Sequence, residues 1–197
     1  MINIIHGDAK DHNIKADLMF TDPPYELNGE ELHTIIKGYD IDHLVLITSL
    51  RQLFEFVKHT ELIFSFDFVL DAVVPKKSKA LHQPNYTHQN GVYFRKEGVK
   101  SAFNRKLRTR SDAYSDNGYW PTLIRSVRSN MKAHGMAKNE TTIADIIGSF
   151  EVKTVVDPFA GSGSTGLAAF ELDKDCTLID IDLKNIESMQ KTFKFLR

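Results

Sequence analysis

Thr154-Val155-Val156-Asp157-Pro158-Phe159-Ala160-Gly161-Ser162-Gly163-Ser164-Thr165-Gly166 reads as one local unit. The β-branched run is a buried strand of residues 154–156, the glycines make a tight turn, and residues 164–172 form the helix that follows. A further strand is expected at 176–181 and a helix at 183–195. Strand, glycine turn, helix and strand in succession indicate an α/β fold with a mainly parallel, doubly wound sheet. A nucleoside-containing cofactor would be cradled where the helix starts. Gly161-x-Gly163-x-x-Gly166 is unspecific alone; an acid at the tip of the next strand, where ribose hydroxyls need a carboxylate, gives it weight. Asp180 suits that place better than Asp182, which also fits as a cap on the last helix. A nicotinamide dinucleotide needs a second mononucleotide half downstream, and only one helix is expected there. The rest of the sheet is therefore expected from the N-terminal segment.

There a second apolar run, residues 16–21, ends at Asp22-Pro23-Pro24-Tyr25, because proline cannot continue a strand ladder. This tetrapeptide suits an exocyclic amine on a flat ring. The lone pair of such an amine is delocalised into the ring. Accepting hydrogen bonds from both its N–H groups favours a pyramidal nitrogen and returns the pair for attack. The Asp22 carboxylate is one acceptor and the Pro23 carbonyl a second. The prolines hold the turn rigid, so both acceptors are preorganised, and Tyr25 can stack on a base rotated out of a duplex. The same residues also fit a plain strand-to-loop turn with Asp22 as a helix cap and Tyr25 in the core; the second motif weighs against that.

The net charge of −1 conceals segregation. Residues 1–74 carry 5 Lys/Arg against 13 Asp/Glu, residues 75–138 carry 14 against 3, and residues 139–197 carry 6 against 10. The basic block also holds Tyr86, Tyr93, Phe94, Phe103, Tyr114, Tyr119 and Trp120. Charge runs are usually solvated faces, but cations interleaved with aromatics suit a phosphate backbone and unstacked bases. Lys76, Lys77, Arg95, Arg105, Lys106, Arg108 and Arg110 are the candidate contacts to double-stranded DNA.

Elsewhere, strands are expected at 2–5, 17–21 and 61–66, and a helix at 42–57 from the spacing of Leu44, Val45, Ile47, Thr48, Leu53, Phe54 and Val57. A helical turn is expected at 67–74, a hairpin over 86–95 turned at Asn90-Gly91, and a helix at 139–150. Residues 96–130 are basic and weakly periodic, as an inserted recognition element would be. The division expected is 1–95 as the catalytic half, 96–132 as the target-recognition insertion and 133–197 as the cofactor-binding half of the same domain.

The two motifs, in this order, resemble the β-class DNA amino-methyltransferases, which use S-adenosylmethionine to make N6-methyladenine or N4-methylcytosine. In that family an Asp-Pro-Pro-Tyr block precedes the target-recognition region and an Asp-Pro-Phe-x-Gly-x-Gly block follows it. The resemblance covers most of the chain and implies a permuted Rossmann-like fold. It implies that Asp157, Phe159, Ala160, Gly161, Gly163 and Thr165 line the methionine and sulfonium part of S-adenosylmethionine, that Asp180 holds the ribose and that Asp8, after Gly7, lies near the adenine. Asp22, Pro23, Pro24 and Tyr25 become the catalytic residues, with adenine N6 favoured over cytosine N4. His88, following Thr87, weakly resembles the family's histidine beside the target pocket. His134-Gly135-Met136-Ala137-Lys138-Asn139 departs from the family's His-Pro-Thr-x-Lys-Pro: Lys138 keeps its place and both prolines are missing. The recognition region is short, so a homodimer covering more duplex is a further expectation.

Other constellations fail. The eight histidines and one cysteine lack metal-ligand spacing, so no metal is expected. Gly161–Thr165 lacks the Gly-Lys-Ser/Thr ending of a phosphate-binding loop. No segment reads as a membrane span or a signal peptide, and Cys176 is a small buried residue. Together these fit a cytoplasmic protein of a bacterium or a phage-infected host. RNA or a free nucleotide as substrate, a nicotinamide-dependent oxidoreductase, and a DNA-binding protein without activity are the alternatives.

Overall fold

The computed structural model describes residues 1–71, 88–107, 120–125 and 140–196. In chain order the elements are β1 (Ile2–His6), β2 (Lys15–Thr21), α1 (Gly29–Lys37), β3 (Asp40–Thr48), α2 (Leu50–Phe56), β4 (Ile63–Asp71), β5 (Gln89–Arg95), β6 (Leu123–Arg125), α3 (Glu140–Gly148), β7 (Thr154–Asp157), α4 (Ser164–Glu171), β8 (Asp175–Asp180) and α5 (Leu183–Lys194), with a 3-10 turn at Ala9–Asp11. The strands form one sheet in the order β1-β8-β7-β2-β3-β5-β4-β6. Its strands point the same way except β5, which runs against both its neighbours.

Both faces are covered. Ile143, Ile146 and Ile147 of α3, Ala168 and Ala169 of α4, and Ile186, Met189 and Phe193 of α5 pack on Leu18, Phe20, Val45 and Tyr93. Leu32 and Ile36 of α1 and Phe56 of α2 pack on Met19, Leu44, Leu46 and Phe94 from the other side. Each Leu, Ile, Val, Phe or Met among them, fully buried, contributes roughly 1.5–3 kcal/mol. From the centre, β7-α4-β8-α5 leads toward β1, while β2-α1-β3-α2 leads the other way on the opposite face. The winding therefore reverses between β7 and β2, the place where open α/β sheets bind ligands.

Residues 42–57 are not one helix. Leu44, Val45, Leu46 and Ile47 are all wholly buried because β3 is covered on both faces. A strand in that position loses the alternation that would distinguish it from a helix. Ser49 then caps α2, accepting from the Gln52 amide. Residues 67–71 continue β4 rather than forming a helical turn. Residues 89–95 are a single strand with no turn at Asn90-Gly91. A Cβ on Gly91 would lie 2.2 Å from the Phe68 ring, so this glycine makes room for an aromatic instead of bending the chain. Helix α1 was not anticipated, although Asn28 and Glu31 form a reciprocal capping box at its start. Of the expected insertion, 108–119 and 126–132 lie outside the described residues, and Leu123–Arg125 joins the sheet as β6.

Candidate active site

The parallel strands present their C-terminal ends along one edge. There Gly7 after β1, Asp180 ending β8, Asp157 ending β7 and Asp22 after β2 stand in a row across four adjacent strands. The cofactor motif and Asp22-Pro23-Pro24-Tyr25, far apart in the chain, thus lie side by side at the reversal of winding.

A buried hydrogen-bond network joins them. Thr21, the last residue of β2, donates through Oγ1 to Asp157 Oδ1 at 3.0 Å. Thr165 Oγ1 donates to Asp157 Oδ2 at 2.6 Å, and the Phe159 amide donates to Oδ1 at 3.1 Å. Thr21, Asp157 and Thr165 are all buried. The Asp157 carboxylate therefore pins the glycine turn to the strand that carries Asp22. Charge-assisted bonds of this kind are the stronger class. Gly161 and Gly163 adopt φ of +52° and +81°, which a residue with a Cβ tolerates poorly. A Cβ on Gly163 would also lie 2.7 Å from the Met189 side chain. Ala160 is buried beneath the turn, and Phe159 packs on the α1 face.

Asp180 accepts from the Gly161 amide at 2.7 Å through Oδ2, and from the Asp182 amide at 2.8 Å and Asn185 Nδ2 at 3.2 Å through Oδ1. Asp182 caps α5. Asp8 caps the 3-10 turn and pairs with Lys10 Nζ at 3.0 Å. That bond, with the Lys10 amide, lowers its carboxyl below the usual range. The turn is anchored by a residue the sequence had not suggested: Tyr39 OH donates to the Ala9 carbonyl at 2.7 Å.

Asp22 is half-buried, Pro23 is buried, and Pro24 and Tyr25 are exposed. The Tyr25 ring stays open, with half its surface accessible, while its hydroxyl accepts from Gln89 Nε2. Desolvation, ahead of the Asp22 charge and against the Gln89 bond, raises the phenol above its ordinary value. His88 is exposed beside Gln89, at the same edge of the sheet.

Of the proposed DNA-contacting cations, the three among the described residues, Arg95, Arg105 and Lys106, are not brought here. Because β5 is antiparallel, Arg95 pairs with His43 near the start of β3, at the opposite end of the sheet. Its Nη1 donates to the Val99 carbonyl at 2.8 Å. Arg105 and Lys106 are exposed at that far end too, just after Asn104, whose amide donates to the Ser149 carbonyl ahead of β7. Lys76, Lys77, Arg108, Arg110 and Lys138 lie outside the described residues, as do Tyr86, Tyr114, Tyr119 and Thr87. Four aromatics of the basic block are packing residues: Tyr93 and Phe94 are buried, and Phe103 and Trp120 stack edge-on against Phe66.

No helix among the described residues is long and apolar enough to cross a membrane, and none of their His, Cys, Asp and Glu side chains cluster as metal ligands. No curated protein sequence matches the chain. Among solved structures, M1.HpyAVI in complex with SAM is 21% identical, with a TM-score of 0.72 over 98% of this chain and 100% of that one. The PvuII DNA methyltransferase, described as cytosine-N4-specific, is 16% identical, with a TM-score of 0.71 over 100% of this chain and 86% of its own. These likenesses establish the shared fold. The family model for N6/N4 DNA methylases matches residues 42–191, and the chain belongs to that DNA methylase family.

Proposed function

We propose that the protein transfers a methyl group from S-adenosylmethionine to adenine N6 in double-stranded DNA. The observation that carries this reading is the Thr21–Asp157 hydrogen bond, which holds the glycine turn beside the strand that delivers Asp22. The residues present fit the cofactor. Gly7-Asp8, Asp180 and the 160–163 turn stand side by side on neighbouring strand ends, and a Cβ on Gly161 would meet nothing within 4 Å, so that turn opens outward. Asp180 and Asp8 would hold the nucleoside, and the turn from Phe159 to Gly163, backed by Asp157 and Thr165, would hold the amino-acid end. When bound, the cofactor supplies an electrophilic methyl group on a positively charged sulfur.

The chain's own part is to prepare the nucleophile. Tyr25 offers its open ring face to a base turned out of the duplex. Asp22 and the Pro23 carbonyl accept from the two amine hydrogens and localise the nitrogen lone pair for attack. The nitrogen then sheds its surplus proton to Asp22, which returns it to water once the product has left. No covalent bond to the protein is formed.

The test is mass spectrometry of nucleosides from unmethylated DNA incubated with the protein and S-adenosylmethionine. A new N6-methyladenine peak is expected. N4-methylcytosine would correct the base, and no methylated nucleoside from DNA would overturn the proposal.

A further inference from the structure

Helix α2 has no part in either motif, yet it carries a buried polar side chain aimed at the catalytic loop. Gln52 is 3% exposed. Its Nε2 donates to the Leu27 carbonyl at 2.7 Å and to the Pro24 carbonyl at 3.2 Å. Those carbonyls can only accept, which fixes the orientation of the amide and leaves its Oε1 to accept from the wholly buried Thr48 hydroxyl at 2.7 Å. Pro24 and Leu27 are the first and last residues of one tight turn, closed by the Leu27 amide donating to the Pro24 carbonyl at 3.1 Å. Tyr25 stands within that turn. A single side-chain amide therefore grips both ends of the turn that presents the Tyr25 ring. The next residues are held by the same helix: Glu55 Oε2 accepts from the Gly29 amide at 3.2 Å, and a Cβ on Gly29 would lie 2.3 Å from the Phe56 amide nitrogen.

We propose that Gln52 is a positioning residue, with Thr48 behind it, that sets the attitude of Tyr25 toward the target base. This rests on the methyl-transfer reading above. The Gln52 amide offers a hydrogen to each of the two carbonyls, the Pro24 one sharing it with the Leu27 amide. Leucine supplies none, and an ionised glutamate would oppose both carbonyls with negative charge. A neutral glutamate supplies one hydrogen and keeps an oxygen for Thr48. Burial and the two carbonyls would raise the pKa of such a glutamate.

The experiment compares wild type, Gln52→Leu and Gln52→Glu in three measurements: transfer to DNA, S-adenosylmethionine affinity by calorimetry, and amide hydrogen exchange. In Gln52→Leu, kcat is expected to fall by roughly ten- to a hundredfold, the scale of a misplaced reactive group. Cofactor affinity should stay within about twofold and the Leu27 amide should exchange about tenfold faster or more, while β3 amides keep wild-type protection. For Gln52→Glu, the rate relative to wild type should rise as pH falls and the carboxyl becomes neutral. Wild-type exchange at Leu27 in Gln52→Leu, loss of cofactor affinity in step with the rate, or a pH-independent ratio for Gln52→Glu would each overturn the proposal. If Gln52→Leu does not fold, Thr48→Val and Gln52→Glu make the same comparison. If the wild type methylates no DNA, the function falls and the role toward a base falls with it, while exchange at Leu27 still decides whether Gln52 holds the turn.

Discussion

The two ends of the sheet are built from similar materials and are organised differently. At the end where most strands finish, carboxylates are held by fixed donors: Asp157 by two hydroxyls and an amide, Asp180 by two amides and an asparagine. Beside them Tyr25 keeps its ring open. At the far end, charges and polar groups serve the fold. Asp17 accepts from the Lys153 and Thr154 amides, and Lys174 Nζ donates to the Val152 carbonyl. Tyr93 OH bridges His43 Nδ1 and the Ala102 amide. About 17 Å separates the two ends along β3, from five steps at roughly 3.3 Å each. What distinguishes a site here is open space left beside the bonded groups, since both ends are rich in satisfied polar atoms.

The largest effect expected on either side of this comparison is that of Asp22→Ala. It should lower transfer by roughly 10²–10⁴-fold and leave S-adenosylmethionine affinity within about twofold. Loss of cofactor binding in that variant, read by calorimetry, would count against the role given to Asp22. Asp180→Ala comes next and should weaken cofactor affinity by roughly 10–100-fold, the worth of hydrogen bonds to a charged group; DNA affinity measured without cofactor should stay unchanged.

At the far end, His43 should matter to stability and not to chemistry. Burial lowers its pKa, with Asp42 and Asp17 acting against that and Arg95 with it. Its Nδ1 hydrogen-bonds Tyr93 OH at 3.0 Å, and that oxygen also accepts from the Ala102 amide. The unfolded chain then binds the proton more readily than the folded one. The contribution of His43 is complete above about pH 6.5 and is lost as pH falls toward the lowered folded value. Denaturant titrations at pH 7.5 and 5.5 should show the loss in wild type and less of it in His43→Gln.

The smallest effect is expected from replacing Arg105 and Lys106 together with alanine. The salt slope of DNA binding should hardly move. A slope smaller by about two would show that the duplex reaches the far end, and the functional division of the sheet would fail.

Much of this was legible in the chain because it is local. The strand–turn–helix of residues 154–166 and the proline stop after residue 21 are written in neighbouring residues, and the capping box of Asn28 and Glu31 was present but unread. Over 42–48 the periodicity misleads because it reports which faces are buried, and β3 is buried on both. Gly91 looked like a turn because its actual neighbour, Phe68, is distant in sequence.

The sequence by itself determined the doubly wound α/β class, the two motifs and the family they belong to, because each depends on residues a few positions apart. Only the tertiary structure decided which polar groups share a site. The Thr21–Asp157 bond spans 136 positions and the Gln52 grip on Pro24 spans 28. Strand direction alone, set when β5 pairs antiparallel to β3, moved Arg95 to the end of the sheet opposite Asp22. Such placements follow from pairing and packing across the sheet, which no local pattern encodes.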